Sequence, residues 1–143
     1  MILIKNGLVV ENNKLVKKDI LINDDKIIKM APIIEKNNYE CLDASDSLVM
    51  PGAIDVHVHL REPGYEKKET ILTGTKSAAK GGFTAIMAMP NLNPCPDNLE
   101  NLLVEEKLIK KNAIVNVYPY GAVSINEGDK NLADIDSFYN RVY

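Results

Sequence analysis

The chain has 143 residues, 45% hydrophobic and 26% charged, with a net charge of -3, a balance that argues for a folded globular protein and against disorder. The mild acidity gives no electrostatic ground for nucleic acid or an anionic membrane as partner. No apolar run reaches the ~18 residues of a membrane span, and the N-terminus, MILIKNGLVVENNK, lacks the regions of a secretory signal.

A cytoplasmic protein is therefore expected, and small solutes remain open as its ligands. Cys41 and Cys95 lie far apart, a spacing that suits neither a disulfide framework nor a thiolate metal site. Both are expected to be reduced and structural.

Residues 1–50 contain short apolar runs at 2–4, 8–10, 19–22, 26–30 and 47–50, separated by Asn6-Gly7, Asn12-Asn13 and Asn23-Asp24-Asp25. Such spacing predicts short strands of an antiparallel meander or sandwich. The grammar then becomes α/β. A strand is expected over 49–60, then a helix over 67–81 with Ile71, Leu72, Thr75, Ala78 and Ala79 on one face and a stop at Gly81-Gly82. Residues 83–89 are nearly all apolar, as a strand covered on both faces requires. Asp97 with Glu100 resembles a capping box opening a second helix that runs to about Lys111, and 113–117 reads as a third strand.

The segment Asp55-Val56-His57-Val58-His59-Leu60-Arg61 alternates strictly, and a strand sends alternate side chains to opposite faces. Asp55, His57, His59 and Arg61 are thus expected on one face, with Ile54, Val56, Val58 and Leu60 on the other. Two imidazoles at i and i+2 are placed to chelate a metal; the plainer reading is a pair of hydrogen-bonded histidines. Asp55 either takes the second ring proton of an imidazole or caps a turn. Glu62, Glu66 and Glu69 are what the start of a helix favours and are assigned no chemistry. Tyr118 and Tyr120 are expected to pack in or beside the third strand.

Pro51-Gly-Ala-Ile-Asp-Val-His57-Val-His59-Leu-Arg61-Glu-Pro-Gly64 resembles the signature of the amidohydrolase superfamily in its dihydroorotase version. Glu66-Lys-Lys-Glu-Thr, Ala78-Ala79 with Gly81-Gly82-Phe83-Thr84, and Met89-Pro90-Asn91 before Pro94 follow in the family's order, and the likeness extends from Met1 to about Asp134. The resemblance implies an α/β fold: residues 1–50 as a segment of a small N-terminal β-sandwich, and 51–143 as the first βα units of a (β/α)8 TIM-like barrel.

It also implies zinc, one or two ions per complete site, with His57 and His59 as ligands. His59, Arg61 and Asn91 would contact substrate, the last two through its free carboxylate. A guanidinium offers a carboxylate a planar fork and an amide adds a directional donor. The alternatives are a salt bridge from Arg61 to Glu62 or Glu66, and a turn role for Asn91.

The implied reaction is the reversible conversion of N-carbamoyl-L-aspartate to dihydroorotate in pyrimidine synthesis. The catalytic Asp and the remaining ligands are expected downstream, since three βα strands cannot close an eight-stranded barrel. The chain is expected to be a fragment, inactive alone. A homo-oligomer or an association with aspartate transcarbamoylase is in keeping with the family. Two other readings stand beside this one. One is an allantoinase- or dihydropyrimidinase-like cyclic amidohydrolase; allantoinase-like sequences tend to lack the arginine and the Met-Pro-Asn. The other is a truncated, non-catalytic dihydroorotase-like subunit.

Overall fold

Asn12 and Asn13 both take left-handed backbone angles, φ 50° and 59°, the geometry of a two-residue hairpin turn whose twist matches its strands. In the computed structural model, which describes residues 1–128 and 130–142, this turn joins β1 (Ile2–Glu11) to β2 (Lys14–Asn23). A second turn at Asp24 leads to β3 (Lys26–Ala31), and β4 (Glu40–Asp43) lies parallel to β1. The sheet order is β3-β2-β1-β4.

Two expectations change here. The runs at 2–4 and 8–10 are one ten-residue strand, because Asn6-Gly7 is a bulge within it: the pairing steps from Ile4↔Ile20 to Gly7↔Lys18, and Asn6 has φ 64°. The expected strand at 47–50 forms only a single bridge, Leu8↔Leu48, while residues 40–43 form the fourth strand instead. A parallel partner contributed across a long connection has no local turn signal. The four strands form a single sheet, so no second layer of a sandwich is present among the described residues.

Leu3, Leu21 and Ile34 form the core of this unit, with Ala31 and Tyr39 against them. Asp19 is buried beside them and is fully engaged. Its Oδ1 accepts the Asn6 N–H (2.9 Å), and its Oδ2 accepts the Ile34 N–H (2.9 Å) and faces the Lys5 ammonium (3.3 Å). Burial alone would raise its pKa, but these donors outweigh it and hold the carboxyl below its ordinary range.

The chain divides into two compact units, Met1–Pro51 and Gly52–Tyr143. In the second, β5 (Ala53–Val58), β6 (Phe83–Ala88) and β7 (Asn116–Pro119) form a parallel sheet in that order, joined through α1 (Ile71–Lys80) and α2 (Leu99–Asn112). Helix α1 starts four residues later than expected, because Thr70 caps it: its hydroxyl accepts the Thr73 N–H, and the Thr73 hydroxyl accepts the Thr70 N–H. The cap of α2 is Asn98 rather than Asp97, through Asn98 Oδ1 and the Asn101 N–H (3.0 Å). The third strand runs three residues later than the apolar pattern suggests.

Leu60, Ile71, Ile86 and Ala88 make the core between sheet and helices. Each large aliphatic chain buried there contributes about 1.5–3 kcal/mol. Gly74 permits the contact: a Cβ there would fall 2.5 Å from Leu60 Cδ2. Thr75, fully buried, donates its hydroxyl to the Ile71 carbonyl (2.7 Å) and accepts the Ile114 N–H (3.3 Å), tying α1 to the start of the last strand. No helix among the described residues is long and apolar enough to cross a membrane.

Candidate metal and carboxylate site

The C-terminal ends of the three parallel strands lie side by side: the Val58 carbonyl accepts the Met89 N–H (2.8 Å), and the Ala88 carbonyl accepts the Tyr120 N–H (2.9 Å). His59 and Arg61 emerge just past β5, Asn91 just past β6 and Tyr120 just past β7. Ligands of α/β sheets bind at this end, where the loops converge.

The strict alternation expected for this segment is broken by a bulge. Pairing with β6 runs Asp55↔Ile86 and then Val58↔Ala88, so β5 holds one extra residue there. The phase flips as a result. Asp55, Val58 and His59 line a cavity with Ser77 and Gly81, whereas Val56 and His57 line a separate one of about 460 Å³ with Tyr120. Asp55 does not share the face of His57; its Oδ1 accepts the His57 backbone N–H (3.0 Å). Of the two roles open to it, turn capping is the one observed. The apolar row splits too: Val58 and Leu60 join the core, while Ile54 and Val56 are 62% and 58% exposed.

The two imidazoles nevertheless meet. His57 Nε2 and His59 Nε2 are 3.3 Å apart, and His59 Nδ1 is 2.9 Å from Asn91 Oδ1. An amide oxygen only accepts, so His59 carries its proton on Nδ1 and turns the lone pair of Nε2 toward His57. Two nitrogens held at ~2.0–2.1 Å by a tetrahedral cation stand about 3.3–3.4 Å apart. The donor type and spacing of the pair therefore fit two positions of a zinc-like centre. Among the described residues no group of three or more His, Cys, Asp or Glu side chains converges, and His57 and His59 are the only histidines of the chain. The pair would supply half of a four-ligand set.

Arg61 sits outside the strand with φ 63°, a conformation costing about 1–2 kcal/mol for a residue with a Cβ. It is half-buried and makes no ion pair among the described residues. The carboxylates considered as its partners are engaged elsewhere. Glu62 Oε2 accepts the Ile71 N–H (2.7 Å) and its Oε1 accepts Asn112 Nδ2 (3.2 Å), while Glu66 Oε1 accepts the Gly64 N–H (2.8 Å). Glu69 accepts the Thr70 N–H (3.0 Å) and the Thr73 hydroxyl. These acids order the loop and the start of α1.

Arg61 and Asn91 share a polar cavity of about 350 Å³ with Tyr65, Lys68, Asn126 and Glu127. Of the last four, Lys68 lies within the Glu66-Lys-Lys-Glu-Thr stretch but has no site role assigned to it from the sequence, and Tyr65, Asn126 and Glu127 carry no motif. Asp97, not the cap of α2, has another role: 6% exposed, it accepts Asn98 Nδ2 (2.8 Å), Asn101 Nδ2 (3.2 Å) and the Asn126 N–H (2.8 Å). It thereby fixes the cavity wall carrying Asn126 and Glu127, both at positive φ. Tyr120 donates its hydroxyl to the Val56 carbonyl (3.2 Å) beside His57. In the loop between Arg61 and Tyr65, Gly64 has φ +96°, and a Cβ there would lie 2.3 Å from the Asn93 carbonyl oxygen.

The family described as "Dihydro-orotase-like" matches residues 46–141. A dihydroorotase of Fusobacterium nucleatum subsp. nucleatum is 43% identical over 141 residues, 99% of this chain and 33% of that protein. One from Bacillus cereus is 48% identical over 136 residues, covering 94% of this chain and 32% of the relative. The chain thus spans about a third of the length of the curated relatives it matches. Among solved structures, the L-hydantoinase (dihydropyrimidinase) from Arthrobacter aurescens superposes with a TM-score of 0.78 at 28% identity, over 86% of this chain and 28% of that one. The D-hydantoinase (dihydropyrimidinase) from Thermus sp. gives 0.74 at 31%, over 87% and 28%.

Proposed function

Since this chain belongs to the dihydro-orotase-like family, we propose that it forms the first third of a zinc-dependent dihydroorotase, interconverting N-carbamoyl-L-aspartate and dihydroorotate. The convergence of His57 Nε2 and His59 Nε2 to 3.3 Å, beside a cavity whose arginine makes no ion pair among the described residues, carries this reading. Zinc bound there would contribute Lewis acidity and a water made acidic near neutral pH.

The residues of this chain hold and orient. His57 and His59 are two ligands, and Asn91 fixes the tautomer of His59. Arg61 offers its guanidinium to the carboxylate of the ring that does not react. Further ligands and the acid–base carboxylate would come from additional strands of a (β/α)8 barrel, which the greater length of the relatives accommodates.

The structural likeness to hydantoinases supports a second reading, a ring hydrolase for substrates without a carboxylate. Arg61 separates the two. The test is hydrolysis of dihydroorotate and of dihydrouracil, the same ring without the carboxylate, by the full-length protein and its Arg61→Met variant. Dihydroorotate turnover that falls at least about tenfold in kcat/KM in the variant supports the first reading. Turnover of dihydrouracil alone would replace it with the second.

A further inference from the structure

Arg61 is not the only cation facing its cavity. Lys68 lines it as well, and neither is neutralised: the ion pairs among the described residues are Lys5–Asp19, Lys18–Glu11 and Arg141–Glu106. The acids nearest Lys68 in the chain, Glu66 and Glu69, are committed to the Gly64 N–H and to the Thr70 N–H and Thr73 hydroxyl. Among the described residues, Glu127 is the one carboxylate on the cavity wall. Two cations against one acid leave an excess positive charge around a small polar space, which favours an anion.

One short loop delivers both cations. The Tyr65 N–H donates to the Arg61 carbonyl (2.9 Å) and the Lys68 N–H to the Tyr65 carbonyl (2.8 Å), so the chain curls through two successive turns. Left-handed residues Arg61 (φ 63°) and Gly64 (φ 96°) permit that curl. The Lys68 ammonium stands 5.5 Å from the centre of the Tyr65 ring, close enough for the ring face to restrain a side chain that is otherwise free to turn outward.

We propose that Lys68 is a second cationic contact for the free carboxylate of the substrate, held by Tyr65, and so sets the preference for carboxylate-bearing rings. This rests on the dihydroorotase reading. Arg61 would supply the directional fork and Lys68 the less directional point charge.

Steady-state kinetics on the full-length protein test it, with dihydroorotate as substrate and dihydrouracil as competitive inhibitor, in wild type, Lys68→Met, Lys68→Arg and Arg61→Met. Lys68→Met keeps the length of the side chain and removes its charge. The expected result is a KM for dihydroorotate raised about threefold to tenfold with kcat little changed, an unchanged Ki for dihydrouracil, and recovery in Lys68→Arg. An unchanged KM in Lys68→Met, or an equal weakening of both rings, overturns the role of Lys68 even where Arg61→Met confirms the carboxylate site. If the wild type does not turn over dihydroorotate, the reading beneath it falls first.

Discussion

Nδ1 of His59 lies 2.9 Å from Oδ1 of Asn91, a residue 32 positions further along the chain. The contact crosses from the end of β5 to the end of β6. It couples the two halves of the proposed site, because Asn91 both faces the Arg61 cavity and sets which nitrogen of His59 is free to bind. An outer partner of this kind is worth about 10–100-fold in metal affinity.

Asn91→Ala is therefore expected to weaken metal retention by about that factor in the full-length protein. Asn91→Asp, which keeps an acceptor for the ring proton, should retain the metal but bind the substrate carboxylate poorly. Competition with a zinc chelator, set beside KM, checks both halves. Equal retention by wild type and Asn91→Ala would mean that the contact orients nothing.

Glu105 lies in α2, 1% exposed, and its Oε2 has no hydrogen-bond partner among the described residues. Burial, aided by the charge of Glu106, pushes its pKa up from 4.5 to about 8. The unfolded chain loses this proton near 4.5 and the folded chain only near 8. Folding thus takes up a proton between those values, and the group's contribution to stability is full below the window and is lost as pH rises through it. Glu105→Gln should flatten this part of the pH profile, and Glu105→Leu should stabilise the protein at the upper end by a few kcal/mol at most. Urea midpoints across the window decide; a wild-type profile as flat as that of Glu105→Gln would refute the buried neutral acid.

Gly64→Ala is expected to destabilise the protein by about 2 kcal/mol or more, since it combines φ +96° with a Cβ 2.3 Å from the Asn93 carbonyl oxygen. The loop holding Arg61 and Lys68 would shift as well, so KM should rise along with the loss in thermal midpoint. An unaltered melting curve would contradict this packing.

Asp97→Ala removes the acceptor for three donors and leaves the Asn126 N–H without a partner. A cost of roughly 2–4 kcal/mol follows, with Asp97→Asn intermediate, because its remaining oxygen can serve only part of the set. Chemical denaturation of the three proteins would rank them; Asp97→Ala as stable as wild type would remove Asp97 from the account.

The α/β order of the second unit was legible in the apolar pattern, because periodicity is a local property and the caps at Thr70 and Asn98 terminate helices with nearby atoms. The bulges at Asn6 and at Val56-His57 were not, since a bulge exists only relative to a partner strand. For Asp97 the capping signature pointed to a plausible local role, but three donors, one of them 29 residues away at Asn126, compete for its carboxylate. Lys68 and Glu127 have no role assigned from the sequence, and Tyr120 is expected only to pack, because nothing in their neighbours' identity says which cavity they line.

His57, His59, Arg61 and Asn91 could be picked out as candidates from residue type and order alone, since imidazole, guanidinium and amide chemistry belongs to the side chain wherever it sits. Their arrangement came from elsewhere. Parallel pairing brings the end of β5 beside the end of β6, the bulge puts Asp55 on a different cavity from His57, and the left-handed backbone at Arg61 lets its loop turn along the cavity wall. Each of these depends on hydrogen bonds between residues distant in the chain, which form only when the sheet does.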